Sequence, residues 1–115
     1  MLYGANPMNK IRLMALSLTF SLAGLAQAAD PVNVPDLAKA NGCFSCHGMT
    51  EKVVGPAYSS VAQRYAGQKD AVADLMMSIQ NGSTGKWGRM AMPSHPSLAK
   101  DDVKRLAEWI LTVKK

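Results

Sequence analysis

No stretch of this 115-residue chain alternates apolar and polar residues with a period of two, so strands are not expected and the fold should be all-α. Aromatic side chains are scarce, at 6% of the whole. A chain this short allows one small domain, and with so few large side chains its own core is modest. The longest apolar run, Leu13 to Leu25, falls well short of the ~20 residues that a bilayer span needs, so stable membrane insertion is not expected. Lys and Arg outnumber Asp and Glu by 13 to 8, but they neither cluster nor interleave with aromatics. Nucleic acid is therefore not an expected partner. Internal repeats, low-complexity tracts and linkers are also missing. Cysteine and histidine are limited to two each.

What is present begins with an export pattern. Lys10 and Arg12 precede the apolar run, and small residues at Ala26 to Ala28 offer a cleavage site. Residues 1–28 read as a cleaved signal peptide and 29–115 as the domain. No cysteine follows "LAGL", so a lipid anchor is not expected. Loss of Lys10 and Arg12 would leave 11 basic against 8 acidic residues, a net charge of +3. The expected compartment is the periplasm, which is oxidising, and an idle cysteine pair there would tend to close into a disulfide.

Four helices are expected. Asn33 can cap one through Pro35-Asp36-Leu37 that stops at Asn41-Gly42. Tyr58, Val61, Ala62 and Tyr65 give helical spacing between Ala57 and Ala66. Val72, Leu75, Met76 and Ile79 do the same from about Asp70 to Gln80. The last helix begins near Asp101-Asp102, carries Val103, Leu106, Ala107 and Ile110 inward, and finishes with Lys114-Lys115. Between the third and fourth lies "NGSTGKWGRMAMPSHPS", a loop long enough to suggest function. Its glycines lack the GK[ST] ending of a phosphate cradle. They read instead as places where the backbone approaches a ligand closely.

Both cysteines and one histidine sit together in "NGCFSCHGM", Asn41 to Met49. A thioredoxin-like redox pair also uses C-x-x-C, but in a βαβ setting that this helical pattern does not supply. Tetrahedral zinc wants four ligands, commonly two separated pairs, and a second pair is missing. A plain disulfide leaves His47 unexplained. The reading that uses all three residues is covalent attachment of one haem c. Cys43 and Cys46 would add to its vinyl groups, with Phe44 and Ser45 letting the chain turn between them, and His47 would ligate the iron. Such a group would also fill a core that the side chains alone leave small.

A sixth iron ligand would decide the function, since a filled site suits electron transfer and an open one suits gas or peroxide chemistry. Met49 is too near His47 to cross the ring, and Met76 belongs to an apolar stripe. Met90, Met92 and His95 follow His47 by 43, 45 and 48 residues in the long loop. Pro93 restricts the backbone of Met92 toward extended conformations, which favours Met92 as the ligand. His95 reads as a surface or propionate-side residue.

Taken in order, "NGCFSCH", "VVGPAY", "NGSTGKWG", "MP" and "LAEWIL" resemble the small bacterial class I cytochromes c of the c-551 (c8) type, over about Pro35 to Val113. The resemblance implies a domain of about four helices wrapped around one covalent haem, with His47 and Met92 as axial ligands. It implies that the Pro56 carbonyl accepts a hydrogen bond from His47 and that Trp87 aims its indole N–H at a haem propionate. It also implies a monomeric one-electron carrier, not an enzyme, working between membrane quinol-oxidising complexes and a nitrite reductase, peroxidase or terminal oxidase. Two departures stand out: Ala91 replaces a frequent proline before the ligand, and Ser94-His95 replaces a usual Pro-Asn after Pro93. They put the rigidity of the loop in question. The competing reading is a haem peroxidase or gas sensor in which Met92 is weak and His95 is distal. Lys52, Lys86 and Arg89 are expected to frame the haem edge and to favour redox partners with acidic docking faces.

Overall fold

The computed structural model describes residues 32–115, so the expected signal peptide, residues 1–28, lies outside the described residues. Four α-helices, α1 (Val34–Ala40), α2 (Tyr58–Tyr65), α3 (Ala71–Asn81) and α4 (Lys100–Ile110), surround one core, and a 3-10 turn, Cys43–Ser45, follows α1. Among the described residues there is no strand, only isolated bridges between His47 and Lys52 and between Ser83 and Met92.

Helix α1 starts where expected, with Pro35 in its first turn, but Asn33 caps it differently. Its side chain makes no capping bond, and its carbonyl accepts the Leu37 N–H at 2.9 Å. The asparagine that works is at the other end: the Asn41 amide donates to the Leu37 carbonyl at 2.8 Å, a second bond to an oxygen that already accepts the Asn41 backbone N–H at 3.2 Å. Gly42 then turns the chain at φ 73° into the cysteine segment.

Each remaining helix turns its expected stripe inward, although Ala62, Val72 and Met76 are only half-buried. Tyr58, Val61 and Tyr65 of α2, Leu75 and Ile79 of α3, and Val103, Leu106, Ala107 and Ile110 of α4 are buried. Met76 packs at the edge of this core, whereas Met77 is 61% exposed. Helix α4 is the hub, packing on α1, α2 and α3. Ala38 and Ala107 are wholly buried, and their small side chains suit the close approach of α1 and α4. Removal of the buried Leu106 side chain would cost ~2–5 kcal/mol.

Helix α4 stops at Ile110, short of the expected end at Lys114-Lys115. The Thr112 hydroxyl donates to the Trp109 carbonyl at 2.6 Å, and the Thr112 N–H reaches the same oxygen at 2.9 Å. These three-residue bonds replace the helical ones, as a threonine near a helix end readily arranges. Among the described residues no helix is long and apolar enough to cross a membrane.

Candidate functional site

Two irregular segments face each other across an apolar cleft floored by Leu75, Ile79, Leu106 and Ile110. Counted to its open mouth, with the solvent space in front of it included, the cleft encloses about 1160 Å³. Cys43, Cys46, His47 and Pro56 line one side, and Trp87, Met90, Met92 and His95 line the other. All six sequence-derived site residues therefore meet in one place.

The first wall is a tightly wound turn. The Cys43 carbonyl accepts the N–H groups of Cys46 (3.2 Å) and His47 (3.0 Å), which gathers both thiols and the imidazole toward the cleft. The Cys46 carbonyl then takes Val54 N–H at 3.1 Å and Gly55 N–H at 2.7 Å, folding the chain back on itself. That return places the Pro56 carbonyl 2.7 Å from His47 Nδ1. A carbonyl only accepts, so Nδ1 carries the proton and Nε2 keeps its lone pair for a ligand.

Tyr58 backs this wall, a role that its place on the α2 stripe did not reveal. Its ring stacks on His47 at 5.1 Å and meets Trp109 edge-on at 5.5 Å and Phe44 at 6.0 Å. Burial pushes the Cys43 thiol pKa up, against a lowering hydrogen bond from Tyr58. Burial raises the Tyr58 phenol further, and neighbouring Cys43 adds to the rise.

The second wall is the loop from Gly82 to Ala99, fastened to α3 by main-chain bonds. Ser83 and Met92 exchange N–H···O bonds of 3.1 and 2.8 Å, and His95 N–H reaches the Ile79 carbonyl at 2.9 Å. Gly82 is required here on two counts. Its φ is 75°, and a Cβ would lie 2.5 Å from the Met92 carbonyl. Met92 is half-buried and packs against the core, while Met90 is 67% exposed. The His95 ring is also half-buried, and its Nδ1 lies in the interior without a partner. Trp87 lies under the Arg64 guanidinium, 4.2 Å from its ring centre.

Lys86, expected to frame the haem edge, lines the cleft and is also bonded to α3. Its ammonium donates to Asp74 Oδ1 at 2.9 Å and to Ser78 Oγ at 3.0 Å. Asp74 also accepts the Tyr65 hydroxyl at 2.7 Å. That bond, and then Lys86, holds the Asp74 carboxyl below the usual range. Spacing gave no sign of this cluster, because its members come from three separate segments. Lys52 and Arg89 are exposed, as expected.

The donor set suits a large planar group better than a bare ion. Among the described residues, no three His, Cys, Asp or Glu side chains gather as metal ligands. An imidazole with a free Nε2, a thioether on the facing wall, two thiols and an orphaned His95 nitrogen around an apolar cleft do fit an iron porphyrin.

The profile of the family described as Cytochrome c matches residues 32–114. Cytochrome c-552 of Nitrosomonas europaea is 43% identical over 84% of this chain and 93% of its own length. Cytochrome c-551 of Pseudomonas aeruginosa is 41% identical over 93% of this chain and all of its own. The crystal structure of wild-type Nitrosomonas europaea cytochrome c552 superposes with a TM-score of 0.67 at 46% identity, over 70% of this chain and 99% of that one.

Proposed function

The chain belongs to the cytochrome c family and is an electron carrier with covalent haem c, not an enzyme; from that premise we propose how its own residues hold the group and where it works. One observation carries the reading: Cys43, Cys46 and His47 share one turn, and Met92, from a segment distant in the chain, lines the same apolar cleft. When bound, the haem iron supplies one-electron chemistry between its ferrous and ferric states.

Cys43 and Cys46 provide the two thioether sulfurs. His47 gives Nε2 to the iron, and Pro56 fixes the ring by holding Nδ1–H, as an outer partner of a metal-bound histidine should. Met92 would supply a thioether sulfur to the iron. Its main chain is pinned by both bonds to Ser83, which supports it over the exposed Met90. Methionine in that place raises the potential relative to a second histidine. Trp87 lines the same cleft and directs its indole N–H to a propionate.

The working place is the periplasm, after removal of a signal peptide over residues 1–28. The protein acts as a monomer between membrane quinol-oxidising complexes and a terminal acceptor such as nitrite reductase, peroxidase or oxidase. Its partners present acidic docking faces to the exposed Lys52 and Arg89.

Two measurements test the site. Acid-acetone extraction should leave the colour on the polypeptide; colour in the organic layer would refute the thioethers. Met92→Ala should abolish the far-red sulfur-to-iron band and admit carbon monoxide, and Met90→Leu should do neither. Loss of the band in Met90→Leu would move the ligand to Met90.

A further inference from the structure

We propose that the Lys86 ammonium is the hydrogen-bonding counter-charge of a haem propionate, held at the cleft by Asp74 and Ser78. This inference rests on the haem site proposed above. Lys86 and Trp87 are consecutive and both line the cleft, as does Ser78. An ammonium has three donors and no acceptor. Asp74 Oδ1 takes one at 2.9 Å and Ser78 Oγ a second at 3.0 Å, which leaves a third for a further anion. Ser78 is buried. While accepting from Lys86 it keeps its own proton to donate, so the pair offers donors from two side chains to one carboxylate.

The rest of the cluster immobilises this lysine to a degree that an idle surface charge does not need. Arg64 Nη1 donates to the Lys86 carbonyl at 2.7 Å, and its guanidinium covers the adjacent Trp87. Tyr65 donates to the remaining Asp74 oxygen at 2.7 Å. Fixing a lysine side chain sacrifices rotamer freedom. The Lys86–Asp74 pair, with side chains 37% and 42% exposed, returns little as a solvent-screened surface ion pair. The Ser78 bond adds to that without giving the third donor a partner. A propionate carboxylate at the cleft edge would use it, and would otherwise lose water without a full set of donors.

The position of the charge also sets a direction for the redox equilibrium. A cation beside the haem edge disfavours the more positive ferric state, so its removal should lower the midpoint potential.

The test uses the holoprotein and three substitutions, Lys86→Met, Lys86→Arg and Asp74→Asn. Resonance Raman spectroscopy reads the propionate bending band, and voltammetry reads the midpoint. Lys86→Met should shift the band and lower the midpoint, and Lys86→Arg should restore both. Asp74→Asn loosens the cluster but keeps the ammonium, so it should lower the melting temperature while the band stays in place. If Lys86→Met lowers the melting temperature but moves neither band nor midpoint, Lys86 only latches the loop and the proposal fails. The far-red sulfur-to-iron band of the same samples separates this failure from that of the site. Its presence in the unsubstituted protein keeps the Met92 site, and its absence there would overturn the site and this inference with it.

Discussion

Gly55→Ala should destabilise the holoprotein through the imidazole it would strike. Gly55 does not use a positive φ, so its backbone would accept alanine. On conformational grounds alone the substitution would stabilise by about 0.4–1 kcal/mol, because the unfolded chain loses freedom. Packing acts the other way. A Cβ at this position would sit 2.7 Å from His47 Cε1 and 3.0 Å from Nδ1, where ordinary contact begins at 3.4 Å. Something must therefore move by about 0.7 Å. The ring cannot retreat freely, because Tyr58 stacks on it at 5.1 Å and Pro56 holds Nδ1 at 2.7 Å. Overpacking of this kind costs ~1–3 kcal/mol. Over most of these ranges the packing cost exceeds the entropic gain, and their midpoints leave a net loss of about 1 kcal/mol. For a domain of this size each kilocalorie is worth ~4–8 °C in melting temperature. Thermal melts of the ferric protein measure this, and proton NMR of the His47 ring N–H reports whether the Pro56 bond has moved. Gly67→Ala is the control. Gly67 has φ 77° and nothing near its Cβ, so it should lose stability through strain while the His47 resonance stays put. A Gly55→Ala protein as stable as the parent, with an unmoved His47 signal, would refute the reasoning.

Three other perturbations have defined outcomes. A Cys43→Ser/Cys46→Ser chain made without haem should show weak helicity by circular dichroism, because Leu75, Ile79, Leu106 and Ile110 would floor an unfilled cleft; cooperative, native-like melting would contradict this. The Tyr65–Asp74 bond should shape stability at both ends of the pH scale. The Asp74 carboxyl is lowered, first by Tyr65 and then by Lys86, so its contribution holds above the ordinary carboxylate pKa and fades as pH falls. The Tyr65 phenol is raised to about 12, first by burial and then by Asp74, so its contribution holds below its ordinary pKa of ~10 and is lost as pH climbs toward 12. With Asp74 partly exposed, Tyr65→Phe should cost about 1 kcal/mol at neutral pH and flatten both limbs of the melting profile; a parallel profile would count against the bond. Oxidation by an acidic partner should slow with ionic strength, and Lys52→Glu with Arg89→Glu should weaken that dependence; a rate indifferent to salt would leave apolar contact in charge of docking.

The parts of the fold legible in the sequence were those written in local periodicity. Val103, Leu106, Ala107 and Ile110 recur on one helical face, and that face is buried. The C-x-x-C-H turn was legible for a similar reason, since its geometry depends on main-chain bonds over four or five residues. What was missed depends on distance along the chain. Tyr58 looked like one more apolar residue of α2, and only the folded chain shows it between His47, Phe44 and Trp109. Lys86 read as one of the charges framing the haem edge, with no sign of the partners that hold it. Its partners Asp74 and Ser78 lie on α3, 12 and 8 residues away, and no spacing rule links a loop to a preceding helix. The end of α4 was overrun because Leu111 and Val113 continue the apolar pattern, while Thr112 bonds back to Trp109.

The loop that carries Met92 shows how a missing proline can be replaced by main-chain bonds. Proline before Met92 would stiffen the chain by restricting φ and the preceding residue. With Ala91 there, stiffness must come from elsewhere. Met92 both donates to and accepts from Ser83, and three residues later His95 N–H is tied to Ile79 at the end of α3. The segment bearing the thioether is thus clamped at Met92 to the start of the loop and, three residues on, to a helix whose buried face is part of the core. Gly82 makes the first clamp possible, because any larger residue would meet the Met92 carbonyl. The burden that proline would carry at one position is spread over Gly82, Ser83 and His95. Strain at Gly82 should therefore reach Met92 more directly than a change at Ala91, whose side chain is exposed.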